Sequence, residues 1–318
     1  RAGMAVEHEN VGALRLRTPA AALTSSALSF ALIVAGYLAL HVLLRLWETP
    51  LIAKNDVQEA VAAQMWAWGY HPRNPPLHTW LLMGSYALFG TNLVAHVMLK
   101  YSLLGGVYAF AYLCARRVLS TPHLALVAAL SMTLLGPLAW TVHTALTHTL
   151  LLAVMVLATL WAAMRMTARR RTGDYVLFGV MIGLGLLAKY SFLLFLVPLL
   201  AAMITQRDLR SALADARIFL ALGAVALVIA PHAIWMFDQR YDFIQFLTQK
   251  QHGEDSQSYL SGAVVGIGAV IGGALTFLVP FMLIVPVIFR QLVKASAAPR
   301  SAWQKALVAI CVIGIGLL

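Results

Sequence analysis

Two carboxylates, Asp56 and Glu59, stand three residues apart at what reads as the start of a helix. Side chains at this spacing project from one helix face, about one turn apart. Such a pair can divide acid–base work, because repulsion and partial desolvation raise the pKa of one carboxyl and favour a general base. The structural alternative is that Asp56 caps the helix and Glu59 interacts with its N-terminal dipole.

Two cations are candidates for holding a phosphate. Arg73 follows Pro72 in a proline-rich stretch, and we expect the prolines to hold it near the membrane interface. A guanidinium that is fixed there could bind a phosphate bidentately. Lys189 and Tyr190 stand where one Gly-rich apolar run turns directly into the next. The alternatives are a headgroup anchor at Arg73 and a snorkelling side chain at Lys189.

Histidines are the third group of candidates, and six of the ten fall at or near the ends of apolar runs. They could ligate a divalent metal or hydrogen-bond sugar hydroxyls. No pair has a recognised ligand spacing, so packing at an interface is the alternative for each. The six are His71, His78, His143, His148, His232 and His252.

The elements that must position these residues are membrane helices. The chain is 61% hydrophobic and 11% charged, far more apolar than a soluble domain. Its apolar runs are long enough to cross the hydrocarbon core as helices. We therefore expect an all-α, polytopic transmembrane helix bundle of about nine spans, near 25–46, 93–115, 123–142, 146–165, 174–190, 191–205, 217–236, 262–289 and 303–318.

The distribution of charge predicts the orientation of the bundle. With the N-terminus in the cytoplasm, sixteen of the 23 lysines and arginines lie in inner segments, as the positive-inside rule requires. Segments 47–92 and 237–260 are then extracytoplasmic. The net charge of +11 is thus explained by short loops of a membrane protein, and we expect no nucleic-acid partner.

The first outer segment carries two helices that we expect to lie in the membrane interface, over Asp56–Tyr70 and 76–90. Counting the second as a span would invert every later loop and place arginine clusters outside. Trp80 and Tyr86 suit the headgroup region. Prolines between the two stretches separate the helices.

Residues 1–318 are expected to form one transmembrane domain. The last apolar run ends without a flanking anchor, so we expect a C-terminal part to be missing. Charges in the middle of spans are nearly absent, which disfavours a transporter, while seven of the twelve acidic residues lie in outer segments. Function is therefore expected at the outer interface.

The motifs resemble those of the C-type membrane glycosyltransferases, in particular aminoarabinose and lipid-linked galacturonic acid transferases and, more distantly, protein O-mannosyltransferases. The resemblance runs in family order over nearly the whole chain. It is carried by NDVQEA at 55–60, WGYHPRNPPLHTWL at 68–81, LFG at 88–90, THTLLLAVMVLATLWA at 147–162, GLGLLAKYSFLLF at 183–195, and Pro231 with Trp235.

The sequence also departs from the family pattern. The family motif has an acidic residue directly after the catalytic aspartate, where this chain has Val57. Glu59 matches a second acid of the galacturonic branch and favours that branch. Many relatives place another aspartate at the start of the fourth span, where this chain has Thr147 and His148.

The resemblance implies an inverting glycosyltransferase of the bacterial inner membrane, with its site facing the periplasm. The donor is a polyprenyl-phosphate sugar and the acceptor a hydroxyl of lipopolysaccharide, another glycolipid or a protein. Asp56 and Glu59 are the expected catalytic residues. The other expected contacts are Lys189, Arg73 and Tyr190 with the donor phosphate, and His78, His148 and Trp235 with substrate.

The resemblance assigns no certain cofactor, and the sequence leaves a divalent metal ion open. Two other functions also remain open at this point. One is a transporter or flippase of lipid or lipid-linked sugar. The other is a protein that binds a lipid-linked sugar without catalysis.

Overall fold

The regular structure of the described residues consists of helices. The computed structural model describes residues 27–48, 54–71, 74–144, 147–239 and 301–316, with isolated positions at 268, 272, 273, 275 and 283. The helices are α1 (Ala27–Glu48), α2 (Lys54–Ala62), α3 (Leu77–Phe89), α4 (Leu93–Val118), α5 (Pro122–Leu130), α6 (Thr147–Arg169), α7 (Thr172–Ala188), α8 (Leu193–Thr205), α9 (Arg207–Leu213), α10 (Ile218–Asp238) and α11 (Ala302–Gly316). The predicted all-α class is confirmed for these residues.

Four of the described helices, α1, α4, α6 and α10, are long and apolar enough to cross a membrane. Helices α8 and α9 qualify together as a fifth span, although they are bent by 114° where they meet. Shorter apolar helices cover Pro122–Leu134, Thr172–Ala188 and Ala302–Gly314. Most of the run at 262–289 lies outside the described residues, so the total of nine spans stays a prediction.

The expected continuous span at 123–142 is broken in the structure. Helix α5 ends at Leu130 and is followed by a 3-10 turn and then by a π turn over Pro137–Thr141. Pro137 has no backbone N–H for the helical hydrogen bonds, and in a continuous α-helix its ring would clash with the preceding turn. The apolar composition of this run predicts its location but not its interruption.

The first loop contains two helices, but the first is shorter than expected and ends at Ala62. After Ala62, side chains form hydrogen bonds with backbone N–H and C=O groups that would pair with each other if the helix continued. The Ala67 N–H donates to the Tyr70 hydroxyl at 3.1 Å, and Trp80 Nε1 donates to the Ala67 carbonyl at 2.9 Å. Helix α3 matches the expected 76–90 closely.

Helices α7 and α10 approach each other closely through glycine. A Cβ at Gly179 would lie 2.1 Å from the Ala221 carbonyl oxygen, and one at Gly183 would lie 2.7 Å from Val228 Cβ. In membranes, small residues of this kind let helix backbones pack together. The contact holds α7, and hence Lys189 at its end, in a fixed place in the bundle.

The arginine-rich ends of α4 and α6 point away from the loop helices. Asp174, which is 2% exposed, accepts a hydrogen bond from Arg165 and lies 3.7 Å from Arg169. Helix α6 has 23 residues, so this ion-pair cluster lies about 30 Å from the helix start at Thr147. The described residues therefore place basic groups at one end of α6 and the candidate site at the other.

Candidate active site

Asp56 is buried at the point where α2 meets α4 and α6. Its side chain is held from two sides. Thr147 Oγ1 donates a hydrogen bond to Asp56 Oδ1 at 2.7 Å, and Lys100 Nζ lies 3.6 Å from Oδ2. Because Asp56 lies inside the first turn and contacts two other helices, the capping alternative does not describe it.

Glu59, one turn further along α2, has a different set of partners. Its Oε1 lies 2.8 Å from His148 Nε2, and its Oε2 lies 3.4 Å from His78 Nδ1. Thr79 Oγ1 also donates to Oε2 at 2.8 Å. The two carboxylates thus share a helix face, as their spacing predicts, but they bind separate groups.

The histidines change the ionisation of Glu59. Burial by itself raises the pKa of this carboxyl, but hydrogen bonds and charge from His148 and His78 outweigh burial and hold the pKa well below its ordinary value. Burial is also the main reason that the pKa of His78 lies below its ordinary value. The expected repulsion between Asp56 and Glu59 does not raise the pKa of Glu59, because each carboxylate has its own partners. Glu59 is therefore an ionised group and a weak base.

A cavity of about 930 Å³ opens beside Glu59, between α2 and the start of α6. Gln58, Tyr70, His148 and Lys189 are among the residues that line it. Its volume falls within the range of about 300–1,000 Å³ that is typical of small-molecule sites. The cavity is therefore large enough for a sugar phosphate headgroup.

Lys189 presents its ammonium group at the wall of this cavity. It directly follows α7, and its Nζ donates to Thr149 Oγ1 at 3.0 Å. This bond ties the cation to the first turn of α6, two residues from Thr147. A phosphate that enters the cavity meets a positioned positive charge.

Asp56 lies behind the cavity wall. It lines a separate cavity of about 10 Å³, together with Lys100, His78 and His96. Thr147 lines both cavities. The Thr147 hydroxyl is thus a direct link between Asp56 and the larger space.

Tyr190 and Trp235 lie in a neighbouring cluster and do not line the larger cavity. His232 Nδ1 donates to the Trp68 carbonyl at 2.8 Å, so its Nε2 accepts from the Tyr190 hydroxyl at 3.0 Å. Trp235 stacks on the His232 ring, with the ring centroids 5.6 Å apart. This cluster connects the first loop to α10.

Arg73, the other predicted phosphate ligand, lies outside the described residues.

The structure brings most of the predicted residues together at or behind the wall of the larger cavity. Glu59, His148 and Lys189 line this cavity, and Asp56 and His78 line the smaller cavity behind it. Sequence reasoning missed Lys100 and the hydroxyls of Thr79 and Thr149. A charged residue inside an apolar helix usually has a partner of opposite charge, so the position of Lys100 could have predicted a contact with a carboxylate.

Residues 73–235 match the model of the dolichyl-phosphate-mannose-protein mannosyltransferase family. The match covers slightly more than half of the chain and extends from just before α3 to α10. The chain belongs to this family. The resemblance to C-type glycosyltransferases is thereby confirmed, and family membership together with the apolar helices identifies a bacterial membrane protein.

Two curated members from Rhizobium johnstonii are similar to this chain. The lipopolysaccharide core galacturonosyltransferase RgtB is 28% identical over 277 residues, which cover 86% of this chain and 56% of RgtB. The lipopolysaccharide core galacturonosyltransferase RgtA is 29% identical over 205 residues, which cover 64% of this chain and 41% of RgtA. The chain spans about half the length of these relatives. No solved structure matches it significantly.

Proposed function

We propose that this chain forms the membrane-embedded site of an inverting glycosyltransferase that moves a sugar from a polyprenyl-phosphate donor to a hydroxyl of lipopolysaccharide. Family membership supports the reaction class, and the names of the two relatives support the lipopolysaccharide core as acceptor and galacturonic acid as the first sugar to test. The observation that carries the proposal is the arrangement at one cavity, where Glu59 and Lys189 line the wall and Thr147 connects this wall to Asp56 behind it.

The donor phosphate binds Lys189 at the cavity wall. The acceptor oxygen attacks the anomeric carbon from the face opposite the phosphate. A new C–O bond forms as the bond from that carbon to the phosphate oxygen breaks, which inverts the configuration. Polyprenyl phosphate leaves with the electron pair, and the cation stabilises its charge, so no strong general acid is needed.

Asp56 takes the proton of the acceptor hydroxyl through Thr147, whose hydroxyl passes its own proton to the carboxylate as it receives the proton of the acceptor. Thr147 fixes the orientation of the carboxylate and lies between it and the larger cavity. Lys100 places a positive charge 3.6 Å from the other oxygen of the carboxylate. Glu59, already engaged by two histidines, has a positioning role, and Arg73 stays a predicted second phosphate ligand.

The proposed site faces the extracytoplasmic side. Three tryptophans of the first loop support this placement, because Trp66 and Trp80 stack with centroids 5.2 Å apart, and Trp68 packs edge-on against both. Trp66 and Trp68 remain exposed, as is typical of aromatic residues in a membrane interface. The arginines at the opposite end of α6 suit the cytoplasmic side.

Sugar transfer by the full-length protein in lipid nanodiscs tests the proposal. The donor is polyprenyl-phosphate galacturonic acid, and the product on purified lipopolysaccharide is measured by mass spectrometry. Asp56→Asn is expected to lower turnover about 100-fold or more, as for loss of a general base. Asp208→Asn, at an exposed carboxylate of α9, is the matched control and should retain turnover. Unchanged transfer by the Asp56 variant removes this residue from the mechanism and refutes the proposed chemistry.

Cysteine labelling tests the orientation separately. In a background without Cys114 and Cys311, Gln58→Cys should react with a membrane-impermeant maleimide in spheroplasts, because Gln58 is exposed beside the cavity. Asp208→Cys should react only after the membrane is opened. The reverse pattern would place the site in the cytoplasm.

A further inference from the structure

One carboxylate and two imidazoles converge from three separate helices. Glu59 lies on α2, His78 on α3 and His148 on α6. One ligand atom from each residue lies within 4.8 Å of the other two, and His78 is only 4% exposed. In the described part of the chain, the ion pairs of Glu59 are to these two histidines, whereas Lys100 pairs with Asp56.

We propose that Glu59, His78 and His148 bind a divalent transition-metal ion of the zinc class. Zinc bonds of about 2.0–2.1 Å in a tetrahedron place two ligand atoms about 3.3 Å apart. Each histidine nitrogen lies near a different Glu59 oxygen, at 2.8 Å from Oε1 and 3.4 Å from Oε2, and these distances are close to that value. Two nitrogens and one oxygen suit zinc and its neighbours, whereas magnesium and calcium prefer oxygen ligands.

The surroundings of the three residues also suit coordination. Thr79 donates to a Glu59 oxygen and would orient the carboxylate in a metal complex, as outer-shell hydrogen bonds do. His148 Nδ1 is buried without a hydrogen-bond partner among the described residues, so this ring is held through its Nε2 side. An ion shared with Glu59 would fix that side of the ring more firmly than one hydrogen bond does.

Three protein ligands leave one tetrahedral position, and the cavity determines what can reach it. Glu59 and His148 both line the 930 Å³ cavity, and so does Lys189. A site with three protein ligands and one open position is the arrangement of zinc ions that bind substrate. The open position would accept an anionic oxygen, either of a phosphate or of a sugar carboxylate. This last step rests on the proposed function, whereas binding of the ion does not.

Metal binding is measured without any sugar transfer. Full-length protein is stripped with a chelator, reconstituted, equilibrated with Zn²⁺ and analysed by mass spectrometry for bound metal, with about one ion per chain expected. His148→Gln keeps an amide that can donate to Glu59 but is a poor ligand, and it should weaken binding at least tenfold. Glu59→Gln, which keeps the side-chain shape, should do the same. Equal binding by wild type and both variants, or none by wild type, overturns the site.

His123→Gln is the matched control for unspecific binding to histidine. His123 is exposed at the start of α5, away from the three ligands, and its replacement should leave the bound zinc unchanged. Size-exclusion profiles identical to wild type establish that the ligand variants are folded. Loss of zinc in the His123 variant equal to that in the His148 variant also overturns the site.

The open position is tested with Co²⁺ in place of Zn²⁺, because cobalt reports its coordination by visible absorption. Inorganic phosphate and acetate are added separately to the cobalt-loaded protein. A change with phosphate supports a phosphate oxygen at the open position, and a change only with acetate supports a carboxylate. No change with either anion overturns this step, whatever the effect of Asp56→Asn on sugar transfer.

Discussion

The contact between Lys100 and Asp56 leads to a prediction about stability that is separate from activity. The ammonium lies 3.6 Å from the carboxylate, and the two side chains are 12% and 8% exposed. Lys100→Met keeps the apolar stem and removes the charge, which leaves the buried carboxyl group of Asp56 without its cation. Asp56→Asn has the converse effect. Both single variants should unfold more easily than wild type.

The size of the effect follows from the distance. At 3.6 Å and an effective dielectric constant of about 20, the attraction is about 5 kcal/mol. Removing one partner of a buried pair typically costs about 3–5 kcal/mol. The hydrogen bond from Thr147 keeps part of the stabilisation of Asp56. We therefore expect Lys100→Met to lower the free energy of unfolding by about 3 kcal/mol.

The assay is a double-mutant cycle, with unfolding by denaturant in mixed micelles followed by tryptophan fluorescence. The double variant Lys100→Met/Asp56→Asn carries neither charge and should be more stable than either single variant. The coupling energy should be at least about 2 kcal/mol. Additive effects, with coupling below about 0.5 kcal/mol, would refute a direct charge pair at Asp56.

Three further variants test other parts of the structure. Thr147→Val should lower turnover about tenfold or more through loss of the hydrogen bond to a carboxylate, whereas Thr147→Ser should keep most of it, as measured by sugar transfer. Lys189→Met should raise the KM for the donor lipid more than it lowers kcat, in a titration of donor concentration. Gly179→Ala should destabilise the protein by about 1–3 kcal/mol, because its Cβ meets the Ala221 carbonyl. The control is Gly173→Ala, which meets no atom within 4 Å and should not lower the melting temperature.

The long helices are the part of the fold that the sequence predicts well. Helices α1, α4, α6 and α10 begin and end within a few residues of the expected spans, because charged residues and prolines delimit their apolar runs. The break after Leu130 and the 114° bend between α8 and α9 are not predicted. Hydropathy measures the apolar content of a run, whereas a break depends on how neighbouring helices satisfy the freed backbone groups.

The candidate site is predicted only in part, because its contacts are distant in sequence. Spacing places Asp56 and Glu59 on one face of α2, as observed. Their partners Thr147 and His148 lie 91 and 89 residues away, and no local pattern encodes which helix the face meets. Tyr190 shows the limit of motif reasoning, since it follows Lys189 directly yet bonds to His232 instead of lining the cavity.

One helical turn separates two carboxylates with different surroundings. Asp56 meets a hydroxyl and a single ammonium behind the cavity wall, an arrangement that can accept a proton and return it. Glu59 meets two imidazoles at the wall itself, and its lowered pKa makes it a poor proton acceptor. Because Asp56 meets side chains of α4 and α6 whereas Glu59 meets side chains of α3 and α6, exchanging the two residues should lose both sets of contacts, even though net charge and composition would be unchanged.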